Sequence, residues 1–409
     1  MFVRRYAILI ASSFLMCEAH AQSSVTLYGI LDIGITYANS VQTSRVGSKL
    51  NGASQLALTD GHATGLSGSR WGLRGTEDLG SGLKAIFVME NGFMLNTGAL
   101  AQGGAEFGRQ LYVGLSNNIG TVTLGRQYDP MVDFLQPLAA SGQWAGYMGS
   151  HPDDLDNLTN TNRINNSVKF TTANYHGLSA GALYSFGGVA GSVSRNQIWA
   201  LGGSYTGGSL QVGVGYLNAR DPNVSFYGNT PNKGSAAVNN IGSAGSATSP
   251  QSIPVYAGYA SANTTQIVGA GAAFTISTTT IGVVFTNTRF YSLGSQPSLN
   301  PLGYAGTASF NNVELNGRWR VRPSLLLGAA FDYTDRNSIK NDGGAKYLQL
   351  DLGADYFLSK RTDLYALAVL QRATGRDSLG QASVASIAGF TPSATDKQMA
   401  FRLGVRHKF

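Results

Sequence analysis

Charge, cysteine and long apolar runs are all scarce in this sequence. Charged residues make up 12% of the 409, and the single cysteine, Cys17, falls in the opening segment. That segment is laid out as an export signal, with Arg4 and Arg5 as the charged flank, Ala7 to Met16 as a short apolar core and Ala19-His20-Ala21 as the cleavage site. Cleavage is expected after Ala21. An apolar core of about ten residues is too short for a helix that must cross ~30 Å of hydrocarbon, which argues against a membrane anchor. Bulky Met16 ahead of Cys17 argues against a lipoprotein. Loss of residues 1–21 leaves residues 22–409 without a thiol, so the mature fold is expected to hold without disulfides or thiolate-bound metal.

The formal charge is +7; removing two arginines and one glutamate from 29 basic and 22 acidic residues leaves +6. The arginines come singly within strand-like segments and not in the clustered patches of nucleic-acid-binding proteins, so nucleic acid is not an expected partner. No apolar stretch after the signal approaches a helical span, which excludes a helical route into a membrane. No nucleotide loop, dinucleotide fingerprint or metal cluster appears, and no cofactor is expected.

What is abundant is Gly, Tyr, Phe, Ser, Thr and Asn, arranged with a period of two. Val25, Leu27, Gly29, Leu31, Ile33, Ile35 and Tyr37 share one greasy face, while Thr26, Tyr28, Asp32, Gly34 and Thr36 share a polar one interrupted by Ile30. Similar segments recur near 69–79, 82–95, 109–118, 120–128, 163–174, 178–187, 196–206, 209–219, 264–275, 277–291, 307–321, 324–336, 345–358, 362–373 and 397–409. Short turns such as Leu79-Gly80-Ser81-Gly82, His176-Gly177 and Gly207-Gly208 alternate with long loops at 129–162, 220–256 and 374–396. The pattern predicts an all-β fold, a transmembrane antiparallel β-barrel of about 16 strands with short turns on the periplasmic side. Aromatics near strand ends (Tyr37, Trp71, Trp319, Tyr333, Tyr356, Phe357) suit interfacial girdles. The polar face decides against a soluble barrel: Arg318, Arg320, Asp332, Asp351 and Arg402 would put charges in a packed core, a conflict that a water-filled lumen removes. Residues 228–252, rich in Gly, Ser, Ala and Asn, are expected to be mobile. Gly202-Gly203 and Gly269-Ala270-Gly271 read as places where strands bend or pack closely.

Several segments carry a family resemblance: Ser24-Val25-Thr26-Leu27-Tyr28-Gly29, Ser69-Arg70-Trp71-Gly72-Leu73-Arg74-Gly75-Thr76-Glu77-Asp78-Leu79-Gly80, Gly82-Leu83-Lys84-Ala85-Ile86-Phe87, Gly108-Arg109-Gln110-Leu111-Tyr112-Val113-Gly114-Leu115, Gly120-Thr121-Val122-Thr123-Leu124-Gly125-Arg126-Gln127-Tyr128 and the ending Gly404-Val405-Arg406-His407-Lys408-Phe409. Together they resemble the general trimeric porins of Gram-negative bacteria, in their β-proteobacterial branch. The resemblance implies a homotrimer in the cell outer membrane, exported through the periplasm, in contact with lipid and lipopolysaccharide, and passing small hydrophilic solutes and anions by diffusion. It also implies that Phe409 resembles the signal read by the barrel assembly machinery.

In that family the long third loop folds into the lumen and faces acids against an arginine ladder. Here the loop is about 129–162, with Asp129, Asp133, Asp153, Asp154 and Asp156 as its acids and Asp133 as first choice for the constriction, followed by Asp129. The Pro-Glu-Phe-Gly stretch of enterobacterial members is missing, and Ile30 stands where they carry a lysine. Arg70 and Arg74 point to the lumen by alternation alone. Arg126 shares parity with Val122 and Leu124, which would aim it at lipid at roughly 2–4 kcal/mol near the midplane. The resemblance places it in the constriction, with a bulge at Gly125. Arg163 resembles the next ladder position. A mild anion preference is expected from these arginines.

Three alternatives stand beside this reading. A substrate-specific porin would show saturable flux. An outer-membrane barrel enzyme would need a base beside a nucleophile, yet His62, His151, His176 and His407 fall in loops, a turn and an outward face. A soluble adhesin would show an internal repeat, and none is visible. No catalytic group is expected.

Overall fold

The computed structural model describes residues 23–228 and 235–409; the export-signal reading lies outside them. Alternating residues become strands because one face of each meets lipid and the other the interior. The strands are β1 (Ser24–Val46), β2 (Lys49–Asp60), β3 (Arg70–Gly80), β4 (Leu83–Gly92), β5 (Gln110–Ser116), β6 (Gly120–Gln127), β7 (Ile164–Thr172), β8 (Leu178–Ser185), β9 (Ile198–Gly207), β10 (Leu210–Arg220), β11 (Thr264–Ile276), β12 (Thr279–Leu293), β13 (Gly306–Arg322), β14 (Leu325–Arg336), β15 (Ala345–Phe357), β16 (Thr362–Gly375) and β17 (Lys397–Lys408). Every pairing is antiparallel, and β1 against β17 closes the ring. The circuit has 16 staves, because β2 and β3 occupy successive stretches of one edge of β1. Closure leaves the barrel itself no unpaired edge, the condition for strands to cross hydrocarbon.

The outward face is apolar and bare: Leu403 is 68% exposed and Leu315 57%. Leucines left that open across so many strands require a lipid surround. Phe409 completes the closure, its N–H donating to the Gly29 carbonyl and its carbonyl accepting from the Gly29 N–H, both at 3.1 Å. The Phe409 ring covers Gly29, where a Cβ would strike it.

Two features depart from the sequence reading. First, β1 continues to Val46 and pairs with β2, so residues 38–60, where the sequence reading placed no strand, form a long hairpin. Arg45 joins its tip to the loop before β11, donating to the Ala244 carbonyl at 2.9 Å. Second, the interior is fuller than an open water-filled lumen. Beyond the third loop, residues 253–262 pack Tyr256 and Tyr259 against Phe290, Phe310 and Tyr347 of the inner wall, and Ile387 packs on Tyr365, Leu367 and Val369. Asp332, Asp351 and Arg402 are buried, Asp332 against His151 and Asp351 against Gly149 of the third loop, and Arg402 against Thr59 and Thr64. Arg402 is met by Asp32 at 3.1 Å and Asp332 by His151 at 3.6 Å, while Arg320 stays exposed nearer the short-turn end. Phe357 packs inward, against the cluster that holds Leu326 and Trp144 and under the Arg320 guanidinium at 5.0 Å, and leaves the girdle to Trp319 and Tyr356. In the stretch expected to be mobile, Asn240 is tied to the Asn223 side chain and carbonyl at 2.9 and 2.8 Å.

Candidate functional site

The third loop is set by its first residues. Asp129 caps helix α1 (Pro130–Phe134), its Oδ1 accepting from the N–H groups of Met131 and Val132 at 2.8 and 3.3 Å, with Pro130 at the first helical position. Met131, Leu135 and Leu138 then bury themselves against β10 and β11, each contributing roughly 1.5–3 kcal/mol. Small residues on that wall make the approach possible. A Cβ at Gly213 would meet the Phe134 carbonyl, and one at Gly269 the Leu135 side chain. The reading of Gly269-Ala270-Gly271 as a place of close packing thus finds its cause in the loop lying on it.

The far end of the loop is pinned by a buried charge cluster. His151 Nδ1 lies 2.5 Å from Asp156, and its Nε2 lies 3.3 Å from Glu314 and 3.6 Å from Asp332. Burial alone would lower the imidazole pKa, but the surrounding carboxylates hold it well above its ordinary value. His151 is 3% exposed and sealed between loop and wall, so it holds the loop and meets no solute. Asp154 accepts from Thr159 and Thr161, and Asp153 from the Ser386 hydroxyl at 2.7 Å. Burial pushes Asp153 up to about 7 and Asp154 up to about 6.

Beside this loop, next to the start of β3 and β5 and the end of β6, lies a cavity of about 660 Å3. Arg70, Arg109, Arg163, His62 and Tyr128 line it, and among its described lining residues there is no carboxylate. Arg109 donates to Glu90 at 2.7 Å and to the Tyr128 hydroxyl at 3.0 Å, so Glu90 orients the guanidinium from behind. Arg163 lies over the Tyr128 ring at 5.9 Å and donates to the Thr161 carbonyl at 3.1 Å. His62 is held down to about 4 by burial and by neighbouring Arg163 and Arg109, hence neutral.

The structure therefore brings Arg70 and Arg163 together and distributes the other expected residues around them. Arg74 stands farther along the same lumen face, over the Tyr28 ring at 5.3 Å. The backbone bends at Gly125, with φ +144° and a register shift before Gln127. Arg126 is drawn back to the Gly108 carbonyl at 2.9 Å and to Asn165, and it is not among the residues lining the cavity. Asp133 pairs with Lys169 at 2.8 Å and keeps some solvent contact, whereas Asp129 is sealed beneath the helix it caps. Neither lines the cavity. Arg109 was missed because it shares parity with Leu111 and Val113; it precedes β5, where alternation no longer governs its direction.

A closed barrel with a bare apolar exterior, a loop folded inside and a polar cavity beside that loop defines a membrane channel. The profile of the Gram-negative porin family matches residues 7–376, and the chain belongs to that family. It is 30% identical over 423 aligned positions to an outer membrane porin protein of Bordetella pertussis, covering 96% of each chain, and 28% identical to outer membrane porin protein 32 of Delftia acidovorans, covering 98% of each. Among solved structures it is similar to an anion-selective porin from Comamonas acidovorans, with a TM-score of 0.69 and 24% identity over 95% of this chain and all of that one. The protein is thus an outer-membrane porin.

Proposed function

We propose that this porin is a diffusion passage for small hydrophilic solutes with a preference for anions. The observation that carries the reading is the cavity wall, where three guanidinium groups meet no lining carboxylate and low-dielectric protein on either side focuses their field. Arg70, Arg109 and Arg163 form the selective wall, with Arg74 and Arg126 flanking it; Asp133, held by Lys169 outside the cavity, is a weak acidic counterpart, and Asp129 serves as the helix cap and not as a pore charge. The fold and family argue for a channel and against an enzyme, and His151, with its carboxylate partners, is sealed from the passage.

The same reading extends to assembly. Residues 1–21 direct export, and Phe409 at the closing seam is the mark read by the assembly machinery. Three copies associate through the outer face of β1, where Leu27 and Ile35 stand bare, surrounded by lipid and lipopolysaccharide. Recording from the purified protein in a planar bilayer under a KCl gradient tests the function. A reversal potential of the sign set by chloride supports it, and one set by potassium, or no conductance, overturns it.

A further inference from the structure

The cavity has a second wall that a chloride ion would not use. Tyr227, Ile241, Ile253 and Tyr256 line the same space as the arginines. The Tyr227 and Tyr256 rings lie 5.8 Å apart, and both stack on Phe290, at 6.4 and 5.8 Å. This wall is thus the front of a packed aromatic cluster, fixed in place by the barrel behind it. Burial pushes the Tyr227 phenol up, so the surface stays uncharged. Ile253 reaches the wall with a left-handed backbone, φ +52°, a conformation that β-branched residues avoid. Its carbonyl accepts from the Ala257 N–H at 2.9 Å, which holds the turn in that strained form. Strain retained at a lining position marks a side chain whose placement matters.

Small inorganic ions gain nothing from apolar surface, which cannot replace their hydration. A solute with a charged end and a flat apolar body gains from both walls. We propose that the passage favours aromatic carboxylates of a single ring, the carboxylate facing Arg70, Arg109 and Arg163 and the ring lying on the Tyr227–Ile253 side. This rests on the anion-channel reading above. A ring set offset or edge-on against a tyrosine gains more than its buried area supplies, a gain specific to aromatic pairs. A space of about 660 Å3 also falls in the range of small-molecule sites while leaving room for water to travel with the solute.

The test is block of chloride current by sodium benzoate against sodium propionate, in wild type and in Ile253→Gly and Tyr227→Leu. Ile253→Gly relaxes the strained backbone while removing part of the wall, so folding is not at risk there. The expected result is a benzoate half-saturation about tenfold lower than that of propionate in wild type, shrinking to about twofold in either variant. Equal block by the two acids in a wild type that still prefers chloride overturns this inference alone, as does a benzoate advantage that both variants keep in full. A wild type without chloride preference overturns the anion-channel reading along with it.

Discussion

Replacing Arg163 with glutamine removes one of the three charges on the cavity rim without breaking an ion pair among the described residues; the other contacts it alters are those to the Thr161 carbonyl and the Tyr128 ring. An anion at the centre of the 660 Å3 space stands roughly 7 Å from a rim guanidinium, where one unit charge contributes about 0.6 kcal/mol at the dielectric of bulk water and about 2.4 kcal/mol at an effective value near 20. The passage is wet and the salt is screening, so the lower figure applies. It corresponds to about a threefold loss for chloride, and to roughly eightfold in the chloride-to-potassium ratio once the equal gain of the cation is counted. The reversal potential across a KCl gradient reads this ratio directly. Arg163→Lys keeps the charge and is expected to keep the ratio. Glu90→Gln removes the carboxylate behind Arg109 and is expected to move the ratio the other way. An unchanged potential in Arg163→Gln, or a shift of the same sign in Glu90→Gln, would refute the reasoning.

Three further outcomes are expected. Gly328→Val drives a side chain into the Trp144 ring at a cost of about 1–3 kcal/mol; the loop should lift, giving larger and noisier single-channel currents. His151 gains carboxylate partners on folding, so its folded pKa is raised. Its contribution is then complete below its unfolded value, persists through neutral pH and is lost as pH rises through the folded value. Heat resistance of the folded band on gels should accordingly fall on the alkaline side. His151→Leu, which leaves buried acids uncompensated, should cost about 3–5 kcal/mol and flatten that alkaline limb. Gly29→Val displaces the Phe409 ring from the closing seam and should lower the yield of heat-modifiable barrel, while the same change at Gly47, where nothing stands near, should affect only the hairpin tip.

The barrel was readable from sequence because lipid and lumen impose opposite demands on adjacent residues, and Val25–Tyr37 or Phe401–Val405 can satisfy both only by alternating. The same rule explains the misses. The hairpin of β1 and β2 extends past the membrane, where neither face has to be apolar, so Ser40–Gly52 carries no period to detect. Arg109 and Arg126 have lipid-facing parity, and only the break at Gly125 and the late start of β5 turn them from it. The fate of the loop acids was partly visible: Asp129 followed by Pro130 is a helix-start pattern, which identifies a cap before it identifies a pore charge. The anchor at His151 was not visible, since Glu314 and Asp332 lie far away in the chain and only the barrel brings them beside it. Likewise, nothing local announces that Tyr256 and Tyr259 turn inward, because their partners Phe290 and Phe310 belong to the later strands β12 and β13.

The route itself can be tested at Ser141, which lines the cavity. The chain has no cysteine besides Cys17, so Ser141→Cys places one addressable thiol in the passage. Adding a negatively charged thiosulfonate reagent during single-channel recording should cut the conductance and weaken the chloride preference, while the same treatment of a cysteine at lipid-facing Leu348 should do neither. A Ser141→Cys thiol that reacts fully while conductance and selectivity stay unchanged would show that ions travel elsewhere, and would contradict the account.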